Sequence, residues 1–261
     1  MQYGDAMRKP FIEVTARTQV SRLRALAARA LPAWGLGDAS LRLLNHGYNT
    51  TFRVDAADGR RFALRVNVIP TKTEAHLRAE VAWLAALSSE TELRVPTPQR
   101  TREGEWAARI SSPDHGRDLP LVLFSWLEGR NIGFRPRPRQ ARAVGEAMAL
   151  LHNHAASWQP PVAGALPLFD KVLTDLPNRF GDHPALDADA SAVLTEALAR
   201  SQELQDQAFA ADGAIPLHAD LHGGNLKWHD GRLSVFDFDD AGLGVPALDL
   251  AIAVYYLRDD V

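Results

Sequence analysis

The stretch LHADLHGGNLKWHDGRLSVFDFDDAGLGVPALDLA, residues 217–251, holds most of the chemically informative side chains of the chain. Glycines and short apolar runs separate eight polar residues: His218, Asp220, His222, Asn225, Asp237, Asp239, Asp240 and Asp249. Unpaired carboxylates beside buried strands are costly, and a bound divalent cation would offset that cost. Carboxylate and amide oxygens without thiolates favour magnesium over zinc or copper.

The spacing within this stretch indicates a particular chemistry. His218-x-Asp220, with Asn225 five residues after the aspartate and Asp237-Phe-Asp further on, is the skeleton of a kinase catalytic loop and metal-binding loop. It predicts that Asp220 accepts the proton of an acceptor hydroxyl and that Asn225 and Asp237 bind magnesium. In kinases with this loop the position of His218 braces the loop, and that resemblance implies a structural rather than a reactive role for His218. Asp249 is predicted to be a structural brace or a helix N-terminal acid.

With these motifs the chain resembles the aminoglycoside phosphotransferase and choline kinase-like family, which has a protein-kinase-like fold. The resemblance lies in three segments: residues 218–225, residues 235–240 and the Gly-x-Pro-x-x-Asp-Leu-Ala run at 244–251. The resemblance implies an α+β fold of two lobes, with an N-terminal antiparallel β-sheet lobe that carries one helix and a mainly helical C-terminal lobe. It also implies that ATP, bound with Mg²⁺, donates its γ-phosphoryl group to a hydroxyl.

Segments before residue 130 also resemble the family. Residues 43–54 look like the phosphate-covering loop, residues 61–66 look like the strand with the phosphate-pairing cation, and residues 121–129 look like the hinge that binds adenine. The resemblance therefore implies that the nucleotide is bound by Gly47, Asn49, Thr50, Arg65, Glu80, Ser125 and Leu127. An arginine stands where the family usually has lysine, and its planar guanidinium implies a different phosphate geometry.

Residue patterns predict the elements of both lobes. An opening helix at 21–33 is followed by strands at 41–44, 51–54 and 61–68, a helix from a Thr71–Glu74 capping box to about 88, and strands at 106–110 and 119–125. In the second lobe, helices are predicted at 140–156 and 190–209, followed by short β-strands between 215 and 238 and a closing helix at 247–257. We expect a nucleotide-binding β-rich lobe at 1–128 and a helical catalytic lobe at 129–261.

Composition and net charge limit which binding partners and which cellular location we expect for the chain. The 261 residues are 46% hydrophobic and 23% charged, and a net charge of −3 gives no reason to expect nucleic-acid or membrane binding. The absence of cysteine excludes disulfides and thiolate metal sites. Without an apolar span or a signal-like start, the chain is expected to be cytoplasmic. The basic residues Arg135, Arg137, Arg139 and Arg142 are predicted to be a solvated start of a helix.

Several alternatives stay open at this point. The partners expected are a nucleoside triphosphate and a hydroxyl-bearing small molecule, but a Ser/Thr protein kinase or an ATP-binding pseudokinase-like regulator would share these motifs. Family members usually continue for several helices beyond the Asp-Leu-Ala helix, so we expect a short or truncated form with an open acceptor side and, as one outcome, a homodimer. A P-loop is excluded because no G-x-x-x-x-G-K-[ST] occurs.

Overall fold

The computed structural model describes residues 9–68, 72–173, 177–181 and 183–257. The chain packs as two compact units, one of residues 1–73 with 96–127 and the other of residues 74–95 with 128–261. The helix after residue 73, which the sequence pattern placed in the N-terminal lobe, thus packs with the second unit. The division of function between residues 1–128 and 129–261 stays a prediction.

The described residues of the first unit form one α-helix, two short 3-10 helices and a six-stranded antiparallel sheet. Its elements are α1 (Ala16–Ala30), β1 (Ser40–His46), β2 (Thr50–Asp55), β3 (Arg61–Val66), β4 (Pro98–Gln99), β5 (Ala108–Ser112) and β6 (Arg117–Ser125). The strand order is β1-β2-β3-β6-β4, and β5 also pairs with β6. In β2, Thr50, Phe52 and Val54 are buried while the residues between them are half-buried. This period of two lets one face of the sheet join a core with Leu23 and Leu26 of α1.

Two strand predictions in this unit were wrong in detail. The sheet has one strand more than predicted, because Pro98 and Gln99 pair with Phe124 and Leu123 at an edge of β6, where a proline at the start of a short strand is tolerated. The strand predicted at 106–110 lies at 108–112 instead. Trp106 lies before it, with the Arg100 guanidinium 3.7 Å from the centre of its ring.

The second unit is mainly helical. Its elements are α2 (Glu74–Glu90), β7 (Arg130–Asn131), α3 (Pro138–Ala155), α4 (Ala188–Asp212), β8 (Ile215–Leu217), β9 (Leu226–His229), β10 (Arg232–Val235), β11 (Gly242–Gly244) and α5 (Pro246–Leu257). Strands β10, β9 and β7 form one small sheet, and β11 pairs with β8 in another. Thr71 of the predicted capping box lies outside the described residues. The predicted α+β fold class is confirmed.

Trp83 of α2 is central to the packing of the second unit. Its fully buried ring meets Phe238 edge-on at 5.4 Å and stacks on Trp158 at 5.8 Å. Its indole N–H donates to Nδ1 of His154 in α3 at 3.3 Å. Helix α2 is thereby fixed to the loop that follows β10. Among the described residues, no helix combines the length and apolar character needed to cross a lipid bilayer.

Candidate active site

The loop of residues 218–225, between β8 and β9, carries the predicted base and one predicted metal ligand. The backbone turns tightly there, because the His222 amide donates to the Asp220 carbonyl at 2.9 Å and the Asn225 amide donates to the His222 carbonyl at 2.9 Å. Gly223 is required by this path, since a Cβ on it would overlap the carbonyl of Gly133. A Cβ on Gly224 would lie 2.5 Å from the His222 ring. The glycines thus allow the loop to lie close to its neighbours.

Within this loop the side chains of Asp220 and Asn225 are bound to each other. Nδ2 of Asn225 donates to Oδ2 of Asp220 at 2.7 Å and to its backbone carbonyl at 3.1 Å. Because both partners are acceptors, the side-chain oxygen of Asn225 points away from them and is the atom that could coordinate a metal. Burial raises the pKa of the half-buried Asp220 carboxyl, and the nearby imidazole of His222 opposes that rise.

The side chain of His218 supports the 218–225 loop, as the sequence predicted. The ring is fully buried; its Nε2–H donates to the Phe236 carbonyl at 3.1 Å, and its Nδ1 accepts from the Asp220 amide at 3.2 Å. These two contacts require the neutral ring with its proton on Nε2. Burial lowers the pKa of His218, so the ring stays neutral.

Asp249 of α5 holds the same loop from the other side. Its fully buried carboxylate accepts from the Ala219 amide at 2.7 Å, from the His218 amide at 3.2 Å and from Nε2 of His152 at 3.0 Å. Ala219 has a φ of +61°, a left-handed conformation that is costly for a residue with a side chain. Asp249 also lies in the first turn of α5, so it has both of the roles predicted for it.

The loop of residues 236–241 carries Asp237 in a second left-handed conformation, with a φ of +69°. Next to it, Phe238 is fully buried with its ring 4.6 Å from that of His218. Helix α2 also contacts this loop, because Nε2 of its buried His76 donates to the Asp239 carbonyl at 2.9 Å. The 218–225 loop and α2 therefore both support the backbone around Asp237.

The donor set fits a magnesium ion that also binds phosphate oxygens. It offers the Asp237 carboxylate and the side-chain oxygen of Asn225, both hard oxygen ligands. Across the ranges that the structure describes, no three histidine, aspartate or glutamate side chains converge into a metal cage. That is compatible with Mg²⁺, which proteins usually hold by one or two carboxylates together with substrate phosphates.

The residues predicted to cover the phosphates lie on the β1–β2 hairpin of the first unit. The Gly47 amide donates to the Asn49 carbonyl at 3.0 Å, and Oδ1 of Asn49 accepts from the Val68 amide at 3.1 Å, beyond the end of β3. The buried hydroxyl of Thr50 bonds Nδ1 of His46 at 2.8 Å. Asn49 and Thr50 therefore shape the hairpin with their side chains.

The other predicted nucleotide residues are divided between the two units. Arg65 on β3 is buried, with its guanidinium 5.4 Å from the ring centre of Phe124, and the predicted Glu80 is buried on α2. Ser125 ends β6; its amide donates to the Thr97 carbonyl at 2.8 Å and its hydroxyl accepts from the Thr97 amide at 2.9 Å. Leu127 follows Ser125 as the last residue of the first unit. Their roles in nucleotide binding stay predictions.

The sequence did not reveal an aromatic cluster beside Asp220. Nε2 of His222 lies 3.4 Å from the Asp220 carboxylate, and Phe134 stacks on the His222 ring at 6.1 Å. Tyr256 of α5 lies 5.3 Å from the same ring, and Phe134 and Tyr256 are both exposed. Phe134, His222 and Tyr256 are far apart in the sequence. The sequence alone therefore showed that they are aromatic, but not that they contact one another.

Comparison with known proteins points to one family. The model of the family described as "Phosphotransferase enzyme family" matches residues 40–261. The amicoumacin kinase of Bacillus subtilis (strain 168) is 36% identical over 229 residues, which cover 87% of this chain and 66% of that protein. The chain spans about half to two thirds of the length of the curated relatives that it matches.

Solved structures agree with this result. A microcompartment-associated aminopropanol kinase has a TM-score of 0.70 at 27% identity, covering 88% of this chain and 73% of its own. The amicoumacin kinase hAmiN, solved in complex with AMP-PNP, Ca²⁺ and Ami, has a TM-score of 0.75 at 19% identity, covering 93% and 72%. The predicted fold of protein-kinase-like phosphotransferases is thereby confirmed.

Proposed function

The chain belongs to the phosphotransferase enzyme family, and from that membership we propose that it transfers the γ-phosphoryl group of ATP to a hydroxyl of a small molecule. One observation carries the proposal beyond membership. Asp220 is held by Asn225 on a loop that His218 and Asp249 brace, so the carboxylate has one fixed position. A fixed carboxylate beside an amide that would hold a metal ion suits phosphoryl transfer to an alcohol.

In the proposed reaction Asp220 positions the acceptor hydroxyl and takes its proton. The hydroxyl oxygen bonds to the γ-phosphorus while the bond from that phosphorus to the β–γ bridging oxygen breaks, which leaves ADP and a phosphate ester. Burial raises the pKa of the Asp220 carboxyl and makes it a better proton acceptor than an exposed aspartate. Asn225 and Asp237 would hold Mg²⁺, which supplies neutralisation of the phosphate charge. Asn225 also keeps the carboxylate oriented through its amide N–H.

Nucleotide binding is proposed for the residues inferred from the family resemblance. Gly47, Asn49 and Thr50 would cover the phosphates, Arg65 would pair with them, and the family resemblance assigns Glu80 to the same nucleotide-binding set. At the hinge, the amide and hydroxyl of Ser125 are engaged with Thr97, so its carbonyl is the group that would contact adenine. The backbone of Leu127 would provide the second contact.

The surroundings of Asp220 favour an amino alcohol as the acceptor. Exposed Phe134 and Tyr256 pack against His222, which itself contacts the carboxylate, and the faces of phenyl and phenol rings attract organic cations. Asp240 adds negative charge, since it contributes to raising the Asp220 pKa. The name of the similar aminopropanol kinase indicates an acceptor with both an amine and a hydroxyl.

The similar proteins favour a small-molecule acceptor over a protein serine or threonine, since their names are those of kinases of small molecules. The presence of Asp220, Asn225 and Asp237 favours turnover over a pseudokinase-like regulatory role. A cytoplasmic location and a homodimer stay predictions.

An acceptor panel tests the proposal. The purified chain would be given ATP and Mg²⁺ with short amino alcohols, the matching alcohols without nitrogen, sugars and a Ser/Thr peptide, and ADP formation would be followed. We expect acceptor-dependent ADP formation that is largest with amino alcohols and absent with excess chelator. Equal rates with amino alcohols and plain alcohols would show that the aromatic cluster does not select a cationic acceptor. ADP formation only with the peptide would overturn the choice of acceptor.

A further inference from the structure

A basic cleft in the second unit lies apart from the residues assigned to catalysis. It encloses about 650 Å³ beside β7, β9 and the start of α3, and its walls include Arg130, Arg135, Arg137, Gln140 and Trp228. Asp220, Asn225 and Asp237 do not line it. Its volume lies within the range of about 300–1,000 Å³ that is usual for small-molecule sites.

The charge of the cleft is strongly one-sided. Arg130, Arg135 and Arg137 are exposed, and in the described part of the chain none of their guanidinium groups forms an ion pair. The one carboxylate on the wall, Asp230, lies 3.3 Å from Nε2 of His229. Converging positive charges around a concave surface concentrate the field and attract anions.

The walls are held in place by hydrogen bonds to the 218–225 loop and to β9. Nδ2 of Asn131 donates to the Gly224 carbonyl at 2.7 Å, and the Ile132 amide donates to the Leu226 carbonyl at 3.0 Å. The Arg139 guanidinium, just outside the cleft, lies 5.8 Å from the ring centre of Trp228. Since the backbone that carries the arginines is fixed before a ligand arrives, less order has to be created on binding.

We propose that this cleft is a second ligand site, which binds a small-molecule anion carrying more than one phosphate group. Guanidinium groups form paired hydrogen bonds to phosphate oxygens, and three of them can engage adjacent phosphates. The half-buried Trp228 gives the site an apolar floor, which suits a small organic polyphosphate better than an extended nucleic acid. The overall charge of −3 also disfavours a nucleic-acid surface.

Calorimetric titration with inorganic pyrophosphate at low ionic strength tests the site. The titration would be run without magnesium, which the proposed nucleotide site needs to hold phosphate groups, so that binding reports mainly on the cleft. We expect a dissociation constant below about 1 mM. The double variant Arg135→Ala/Arg137→Ala should bind at least about tenfold more weakly, because two charge-assisted contacts are lost.

Two matched variants separate a built site from general attraction. Arg142→Ala removes one positive charge from the same basic stretch without touching the cleft wall, and its affinity should stay within about twofold of wild type. Arg135→Lys/Arg137→Lys keeps the charge but should still bind more weakly, because lysine cannot form the paired contact. The proposal is overturned if wild type does not bind pyrophosphate, if Arg135→Ala/Arg137→Ala binds it as tightly as wild type, or if Arg142→Ala weakens binding as much as the double alanine variant.

Discussion

Replacing Asp249 by alanine should destabilise the protein more than a typical substitution does. The buried carboxylate accepts three hydrogen bonds, from the Ala219 amide, the His218 amide and His152 Nε2. Leaving a buried donor unsatisfied costs about 1–3 kcal/mol. Water can enter the space that the carboxylate vacates, so we take values near the lower end for each donor and expect a loss of about 3–5 kcal/mol.

Urea unfolding, followed by circular dichroism, measures this loss. For a denaturant dependence of about 3 kcal/mol per molar, the midpoint should fall by about 1–1.7 M. The exposed Asp212 at the end of α4 provides the control, and Asp212→Ala should change the free energy of unfolding by no more than about 0.5 kcal/mol. Turnover should fall as well, because Asp249 holds Ala219, in the loop that carries Asp220, in its left-handed conformation.

Asp249→Asn separates the charge of the carboxylate from its volume. The amide fills the same space but directs an N–H₂ group toward N–H donors, so we expect it to restore less than half of the lost stability. The explanation would be refuted if Asp249→Ala shifted the midpoint no more than Asp212→Ala does. It would also be refuted if Asp249→Asn were as stable as wild type.

Three further substitutions test individual parts of the site. Asp220→Asn should keep the fold and nucleotide affinity while lowering turnover by about two to four orders of magnitude, the usual range for a lost general base; turnover within a few-fold of wild type would mean that Asp220 is not the base. Asp237→Asn should weaken nucleotide binding in the presence of magnesium but not in its absence, as measured by calorimetry; equal affinities of mutant and wild type with magnesium would remove Asp237 from the proposed ligands. Gly223→Ala should lower turnover by about 10²-fold, because its Cβ would overlap the Gly133 carbonyl and displace the loop. Gly145→Ala, at an exposed position of α3 with open space around it, is the matched control and should be neutral or slightly stabilising; similar effects of the two alanines would show that the loop path does not depend on Gly223.

Local patterns in the sequence were sufficient for most of the secondary structure. The alternation in β2 and the helical spacing of residues 140–156 predicted elements that the structure contains, with ends shifted by a few residues. The pattern failed at β4, whose two residues form a strand only because β6 lies beside them. Such a strand has no signal of its own, since its hydrogen-bond partners come from elsewhere in the chain.

The candidate site shows a similar limit. The spacing of Asp220, Asn225 and Asp237 indicated their chemistry, because those residues lie close together in the sequence. The contacts that fix their loops connect distant positions, such as His76 with the Asp239 carbonyl and His152 with Asp249. A single sequence gives residue types but no distances between remote segments, so these supports emerged only with the fold.

The proposed transfer of the γ-phosphoryl group is tested most directly with ATP whose γ-phosphate carries ¹⁸O at its terminal oxygens. The chain would be incubated with this ATP, Mg²⁺ and an amino alcohol, and the products would be analysed by mass spectrometry and ³¹P NMR. The proposal predicts that the label appears in a phosphate ester of the acceptor, with ADP unlabelled, and that Asp220→Asn forms almost none of this ester. ADP formed with the label only in inorganic phosphate, whatever acceptor is present, would contradict it.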